Sequence, residues 1–382
     1  MRGGALLPSR NDDSLSKSIL IVCVAGDPHV FAVAEALRRK GTEPLLWYTS
    51  DFPTHSLETI SFTDGKRGLS VRNSEGDLCL DRIDSAWARR IGGEPELTTL
   101  HPADRWFAAA EIRRFREGSL FSLAPTAFWV NPPTAGLLTE NKILQHSVAA
   151  QIGFRMPDSL YTNNPREIRH FLHTHGGRAV YKPLAGVGWS DGTTTWACHT
   201  IEITEAKLVD DHLLELTPGI YQELLDKSHE IRLTMVGNRP FAAKILSQST
   251  SKGKLDWRRS YGEVAMESTE LPAWVIDFSC RLMQKLGIVF GCFDFIVTPA
   301  GDFVFLEVNQ MGQFLFVEEL TGLPITDALG EMLLQGSPDF TWGINAETVR
   351  YSEIREIAME AAVQSLEAHP PAAQNVTRES PS

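Results

Sequence analysis

Two acids and an amide in one short aromatic-rich stretch are the residues in this chain best suited to chemistry. Asp294 lies between Phe293 and Phe295, and Glu307 between Leu306 and Val308, in two alternating segments separated by Pro299-Ala300-Gly301. That pattern predicts a β-hairpin. A carboxylate flanked by side chains that want burial needs a cation or hydrogen-bond donors to offset its desolvation. Paired strands bring Asp294 and Glu307 to neighbouring positions, and Asn309 projects from the same face as Glu307 because the strand period is two. Three oxygen donors with no Cys or His among them suit Mg²⁺ rather than Zn²⁺, with space left for phosphate oxygens and water.

Cations placed in apolar surroundings are the natural complement. Ala179 to Leu184 reads as a strand carrying Lys182, and the glycine-rich Ala185 to Gly192 follows it, with Gly186 and Gly188 free to bring backbone N–H groups close to phosphate oxygens. The GxxxxGK[ST] loop is absent. Lys142 opens a helix that runs to Ile152 and stops at Gly153. Arg232 and Lys244 sit on strands on either side of the Gly237-Asn238 turn, and Arg258 lies in the basic loop Ser251 to Ser260. Taken singly, each has a plainer reading: a solvated helix lysine, a hairpin turn, a structural ion pair, a surface loop.

Asp294, then Glu307 thirteen residues later, then Asn309 resemble the Mg²⁺-binding signature of the ATP-grasp ligases. The continuation Asn309 to Glu319, NQMGQFLFVEE, resembles the ATP-grasp macrocyclases that close ester and amide crosslinks in ribosomal peptides, the microviridin or graspetide type. The resemblance implies an α/β (α+β) ATP-grasp fold behind an N-terminal doubly wound pre-ATP-grasp domain. It implies ATP and one or two Mg²⁺ ions as cofactors, with Asp294, Glu307 and Asn309 on the metal. Lys142 would reach the α-phosphate, and Lys182 with Gly186 and Gly188 would cradle the phosphates. Gln222 to Leu225 would be the hinge on adenine, with Leu225 near the base; the ribose falls to Glu223 or Glu230, a choice the loop spacing leaves open. Arg232, Lys244 and Arg258 would serve the triphosphate or the acyl phosphate. The partner implied is a precursor peptide, leader plus core, whose Asp or Glu side chains are activated and joined to Ser, Thr or Lys. A homodimer is expected. Two alternatives stand beside this reading: a ligase of free amino acids or short peptides, and a non-catalytic ATP-binding regulator.

The rest of the chain is read around that site. At 382 residues it is long enough for two or three small domains. Its net charge of −12 argues against a nucleic-acid partner. Five scattered Cys without a CxxC predict neither a zinc site nor a disulfide framework, and no apolar run approaches a membrane span. A cytoplasmic protein is expected. The β-α-β opening, ILIVCVA followed by a helix to Lys40 and a strand from Pro44, predicts a doubly wound module in which the Gly26-Asp27 turn belongs to the fold. Arg89 and Arg90 are expected as surface charges, and by resemblance this region carries no chemistry of its own. The predicted organisation is a disordered 1–17, an N-terminal domain over 18–130, a central subdomain over 131–218, a C-terminal subdomain over 219–345, a closing helix over 346–367 and a disordered tail over 368–382.

Overall fold

The computed structural model describes residues 17–73, 76–80, 82–93, 95, 97–185, 189–190, 195–197, 200–250, 253–260, 262–370 and 377–379. β1 (Ile19–Cys23) is apolar and buried at every position, as a strand covered on both faces must be. Asp27 caps α1 (Pro28–Arg39) by accepting the His29 N–H, with Pro28 in the first turn. β2 (Leu45–Tyr48) follows. Then β3 (Leu57–Thr63), β4 (Lys66–Asn73) and β5 (Gly76–Cys79) form an antiparallel meander. β6 (Ser85–Ala88), α2 (Pro102–Ser122) and β7 (Phe128–Val130) complete a parallel sheet of order β2-β1-β6-β7.

α3 (Pro133–Thr139) and α4 (Lys142–Ile152) lead into an antiparallel sheet of order β12-β9-β13-β8, built from β8 (Ser159–Thr162), β9 (Arg178–Lys182), β12 (Ile201–Thr204) and β13 (Gly219–Gln222). α5 (Pro165–Thr174) and α6 (Asp211–Leu216) pack on it through Ile168, Leu172 and Leu214. The short strands β10 (Trp189–Ser190) and β11 (Thr195–Ala197) lie between β9 and β12 in the chain, and β19 (Thr377–Glu379) pairs with β11.

β14 (His229–Val236), β15 (Arg239–Ile245), β16 (Met266–Ser268), β17 (Phe290–Val297) and β18 (Phe303–Asn309) make the largest sheet, antiparallel, of order β16-β15-β14-β17-β18. One face is covered by α4 and by α7 (Ala273–Leu286), through Ala149, Leu282, Leu233, Phe293 and Phe295. The other lies over α8 (Leu315–Thr321), α9 (Ile325–Gln335) and α10 (Tyr351–Ala368), and its core is continuous with α1: Val30, Leu37, Val236, Phe290, Phe314, Leu329 and Ile354 form one cluster. The N-terminal sheet and the hairpin sheet are thus buttressed by a shared helical layer.

The predicted hairpin is present and in register. β17 and β18 place Asp294 opposite Glu307 and Cys292 opposite Asn309, with a bulge between Asp294 and Phe295. The tail differs from expectation. His369 is buried, stacks on Tyr48 with ring centroids 3.7 Å apart, and places Nδ1 2.6 Å from Asp51 Oδ2, so the ordered chain extends past the closing helix. Among the described residues no helix is long and apolar enough to cross a membrane.

Candidate active site

Strand alternation assembles the acidic cluster. Arg232 on β14 pairs with Asp294 on β17, which pairs with Glu307 on β18, so three charged side chains occupy one row and one face. Asn309 Nδ2 lies 3.3 Å from Asp294 Oδ2 and 3.4 Å from Glu307 Oε1. Those three side chains are therefore within reach of a single cation, and two acids with one amide leave most of a Mg²⁺ shell to phosphate and water oxygens.

Four cations surround them. Lys142 Nζ, in the first turn of α4, is 3.0 Å from Glu307 Oε2. Arg232 is buried; its Nη1 donates to both oxygens of Asp294, at 2.9 and 3.0 Å, and its Nη2 to the Gln313 carbonyl. Arg258 Nη2 donates to Asp294 Oδ2 at 2.9 Å while its guanidinium packs over Trp257. Lys182 at the end of β9 lies close enough to feel Glu307: burial lowers its pKa, Glu307 opposes that, and Lys142 and Arg258 add to it. Burial would raise the Glu307 carboxyl, but Lys142, Lys182 and Arg258 hold it down at about 2. Lys142, Lys182, Arg232 and Arg258 against Asp294, Glu307 and Asp256, which lies 3.5 Å from Arg258 Nη1, leave a surplus of one positive charge. A MgATP complex carries roughly two negative charges, opposite in sign to that surplus, so this donor set fits that group.

The geometry finds counterparts among known proteins. A family model described as the MvdD pre-ATP grasp domain matches residues 18–135. A RiPP-associated ATP-grasp ligase of Chryseobacterium gregarium, solved with ADP and a leader and core peptide, superposes with a TM-score of 0.76 at 27% identity, covering 84% of this chain and 98% of that one. The chain has the ATP-grasp fold. The macrocyclase MdnC of Microcystis aeruginosa MRC, solved with its precursor peptide MdnA, superposes with a TM-score of 0.74 at 27% identity, over 84% of this chain and 100% of that one. A curated relative, a probable alpha-L-glutamate ligase of Xanthomonas oryzae pv. oryzae, is 25% identical over 281 residues, 71% of this chain and 90% of its own length.

The other expected positions of the ATP-grasp site divide three ways. Gly186 and Gly188 lie outside the described residues. Gln222 ends β13 with its side chain donating to Ser159 Oγ, and the Glu223 N–H donates to the Asp158 carbonyl, tying the start of the hinge to β8. Leu225 is partly exposed in the 223–228 segment, and Glu230 begins the buried run of β14, 2.6 Å from Lys227 Nζ. Glu223 and Glu230 thus stand at opposite ends of the hinge segment. Lys244 is a correction. It pairs with Ile231, which pairs with Phe295, so it occupies the row next to Arg232 and Asp294 and faces the opposite side of the sheet, 3.2 Å from Glu267. A period of two sends adjacent rows to opposite faces, and the apolar neighbours that suggested a need for an anion are satisfied by β16.

Arg89 corrects a second expectation. It is 1% exposed. Its Nε lies 3.1 Å from Asp27 Oδ2, and its Nη1 hydrogen-bonds the Met311 carbonyl, two residues past Asn309. His29 completes the grip, with Nε2 accepting the Phe314 N–H at 3.1 Å. Burial would raise the Asp27 carboxyl, yet the His29 hydrogen bond and the Arg89 and Arg90 charges keep it well below the usual carboxylate range. Asn131 binds the same segment, donating to the Phe290 and Gln310 carbonyls and accepting from Val289 and Phe290. Gln145 closes the edge of β18 by bonding both backbone groups of Val308. Sequence reasoning missed these four; a buried Arg directly after a strand was the one signal available.

Proposed function

We propose that this protein is an ADP-forming ligase that activates Asp or Glu side chains of a ribosomal precursor peptide as acyl phosphates and closes them onto Ser, Thr or Lys side chains of the same peptide. The observation that carries the reading is the cluster itself: Asp294, Glu307 and Asn309 ringed by four cations with a net positive charge once Asp256 is counted, on a scaffold like that of solved peptide macrocyclases. One or two Mg²⁺ held by Asp294, Glu307 and Asn309 would offset phosphate charge as it develops. Lys142 and Lys182 would neutralise the triphosphate. The peptide carboxylate would attack the γ-phosphorus, breaking the bond to the β-phosphate oxygen and releasing ADP. Arg258, partly open to solvent, and Arg232 behind it would hold the acyl phosphate. A hydroxyl or amine would then add to the acyl carbon and expel phosphate. No enzyme nucleophile is required; positioning and charge neutralisation carry the rate.

Incubating a candidate precursor peptide with the protein, ATP and Mg²⁺ and reading the intact mass tests this. Losses of about 18 Da per bond, one water each, support it, and methanolysis separates esters from amides. The likeness to a probable alpha-L-glutamate ligase favours a second reading, joining of free amino acids. ADP release with glutamate and an unchanged peptide mass would select that one.

A further inference from the structure

A cavity of about 520 Å³ opens at the carboxyl ends of β1 and β6. β2 pairs with one edge of β1 and β6 with the other, so this is the point where the strand order reverses and open parallel sheets form their ligand crevice. One wall is Gly26, Asp27 and Arg90; the other is Gln313, Phe316 and Leu366.

The charges at this corner are unbalanced. Asp27 Oδ2 lies 3.1 Å from Arg89 Nε and 3.2 Å from Arg90 Nε, so a single buried carboxylate serves two guanidiniums. His29 adds no charge, because Nδ1–H is committed to Asp27 and Nε2 accepts from the backbone. Arg89 is buried and turned to the Met311 carbonyl, whereas Arg90 is half exposed on the cavity wall. Glu319, also on the wall, is paired with Arg355 at 3.2 Å. One positive charge is left over, and it is Arg90 that presents it. The cavity also adjoins the reaction cluster: the carbonyl of Gln313, a wall residue, accepts Arg232 Nη2 at 2.9 Å, and Arg232 holds Asp294.

We propose that this cavity is a second carboxylate subsite, in which Arg90 seats a non-reacting acidic side chain of the peptide while another is activated beside Arg258. The guanidinium fork suits a carboxylate, and Phe316 and Leu366 suit the methylenes that carry it. The inference rests on the peptide-ligase reading and fixes the register of the peptide at a point away from the reacting group.

The test is binding without turnover. A fluorescein-labelled synthetic dodecapeptide of alternating Thr and Glu, and its Thr and Gln counterpart, are titrated by anisotropy against wild type, Arg90→Ala and Arg90→Lys with ADP and Mg²⁺ present. Arg90→Ala should weaken the Glu peptide about tenfold and leave the Gln peptide and ADP unmoved, while Arg90→Lys keeps most of the preference for Glu. Unchanged Glu-peptide binding in Arg90→Ala overturns the proposal. Equal loss for both peptides, or loss of ADP binding in both variants, overturns it as well, since Arg90 would then be a prop for Asp27. Because no ligation is read, a wild type that binds the Glu peptide but never joins anything would refute the ligase reading alone.

Discussion

His29 Nε2 accepts the backbone N–H of Phe314 across 285 positions of sequence. Its Nδ1–H donates to Asp27 Oδ1 at 2.9 Å, which fixes the tautomer able to accept at Nε2. With Arg89 on the Met311 carbonyl, the N-terminal sheet grips the segment that leaves the hairpin directly after Asn309. His29→Ala should therefore cut turnover by about tenfold while ADP affinity stays within about threefold, because misplaced ligating groups cost rate before they cost binding. His29→Gln, whose Oε1 reaches the same N–H, should recover most of the loss. Full turnover in His29→Ala would reduce the contact to packing.

The same imidazole sets a pH dependence of stability. Burial, opposed by the Asp27 hydrogen bond, brings its pKa down to about 4, whereas an unfolded His titrates near about 6.5. Between those values the unfolded chain binds a proton that native His29 does not. Stability then falls as pH drops from about 6.5 to about 4, by about 3 kcal/mol in all. Denaturation curves of wild type and His29→Gln across that window should converge at the acid end; a constant separation would contradict the assignment.

Two cations that look alike in sequence should behave differently. Lys244→Ala removes a part-exposed partner of Glu267 on the far face and should leave turnover within about twofold, as surface ion pairs contribute little. Arg232→Ala leaves the buried Asp294 carboxylate to the half-exposed Arg258 and to Asn309, and should lower stability clearly along with activity. Arg232→Lys cannot restore a two-oxygen contact plus the Gln313 carbonyl, so it should rescue little. An inactive Lys244→Ala would reverse the face assignment.

The contrast shows what was legible in the sequence. Asp294, Glu307 and Asn309 were readable because a hairpin with a period of two needs only local pairing, and Arg232 was readable as a cation in an apolar strand. Lys244 satisfied the same local rule and failed, because its face depends on the register of three strands. His29, Arg89, Asn131 and Gln145 act on backbone groups of the hairpin and the segment after it from 159 to 285 positions away, and periodicity carries no signal for that. The tail read as polar and Pro-bearing, yet His369 is fixed by a stacked Tyr48 and a buried Asp51, neither predictable from composition.

That contact makes truncation informative. Removing the chain after Pro370 takes away only the three-residue pairing of β19 with β11 and should cost little stability. Removing His369 as well exposes or orphans Asp51, 3% exposed in the intact protein, and should lower stability by about 1–3 kcal/mol. Equal thermal midpoints for the two truncations would mean that Asp51 finds another partner.

Glu307 offers the sharpest separation between metal and nucleotide. It is the acid that Lys142 contacts, and its neutralisation raises the surplus charge of the cluster from one to two. Glu307→Gln should therefore bind ATP in EDTA at least as tightly as wild type, since Lys142 is released to the phosphates. With Mg²⁺ present the sign reverses: a lost anionic ligand should raise the Mg²⁺ concentration needed for half-maximal turnover by about tenfold or more. Titrating ATP with and without Mg²⁺ on both proteins reads the two effects independently. A variant with the wild-type Mg²⁺ requirement would sink the metal role of Glu307, and weaker ATP binding in EDTA would mean that Lys142 needs Glu307 to hold it in place.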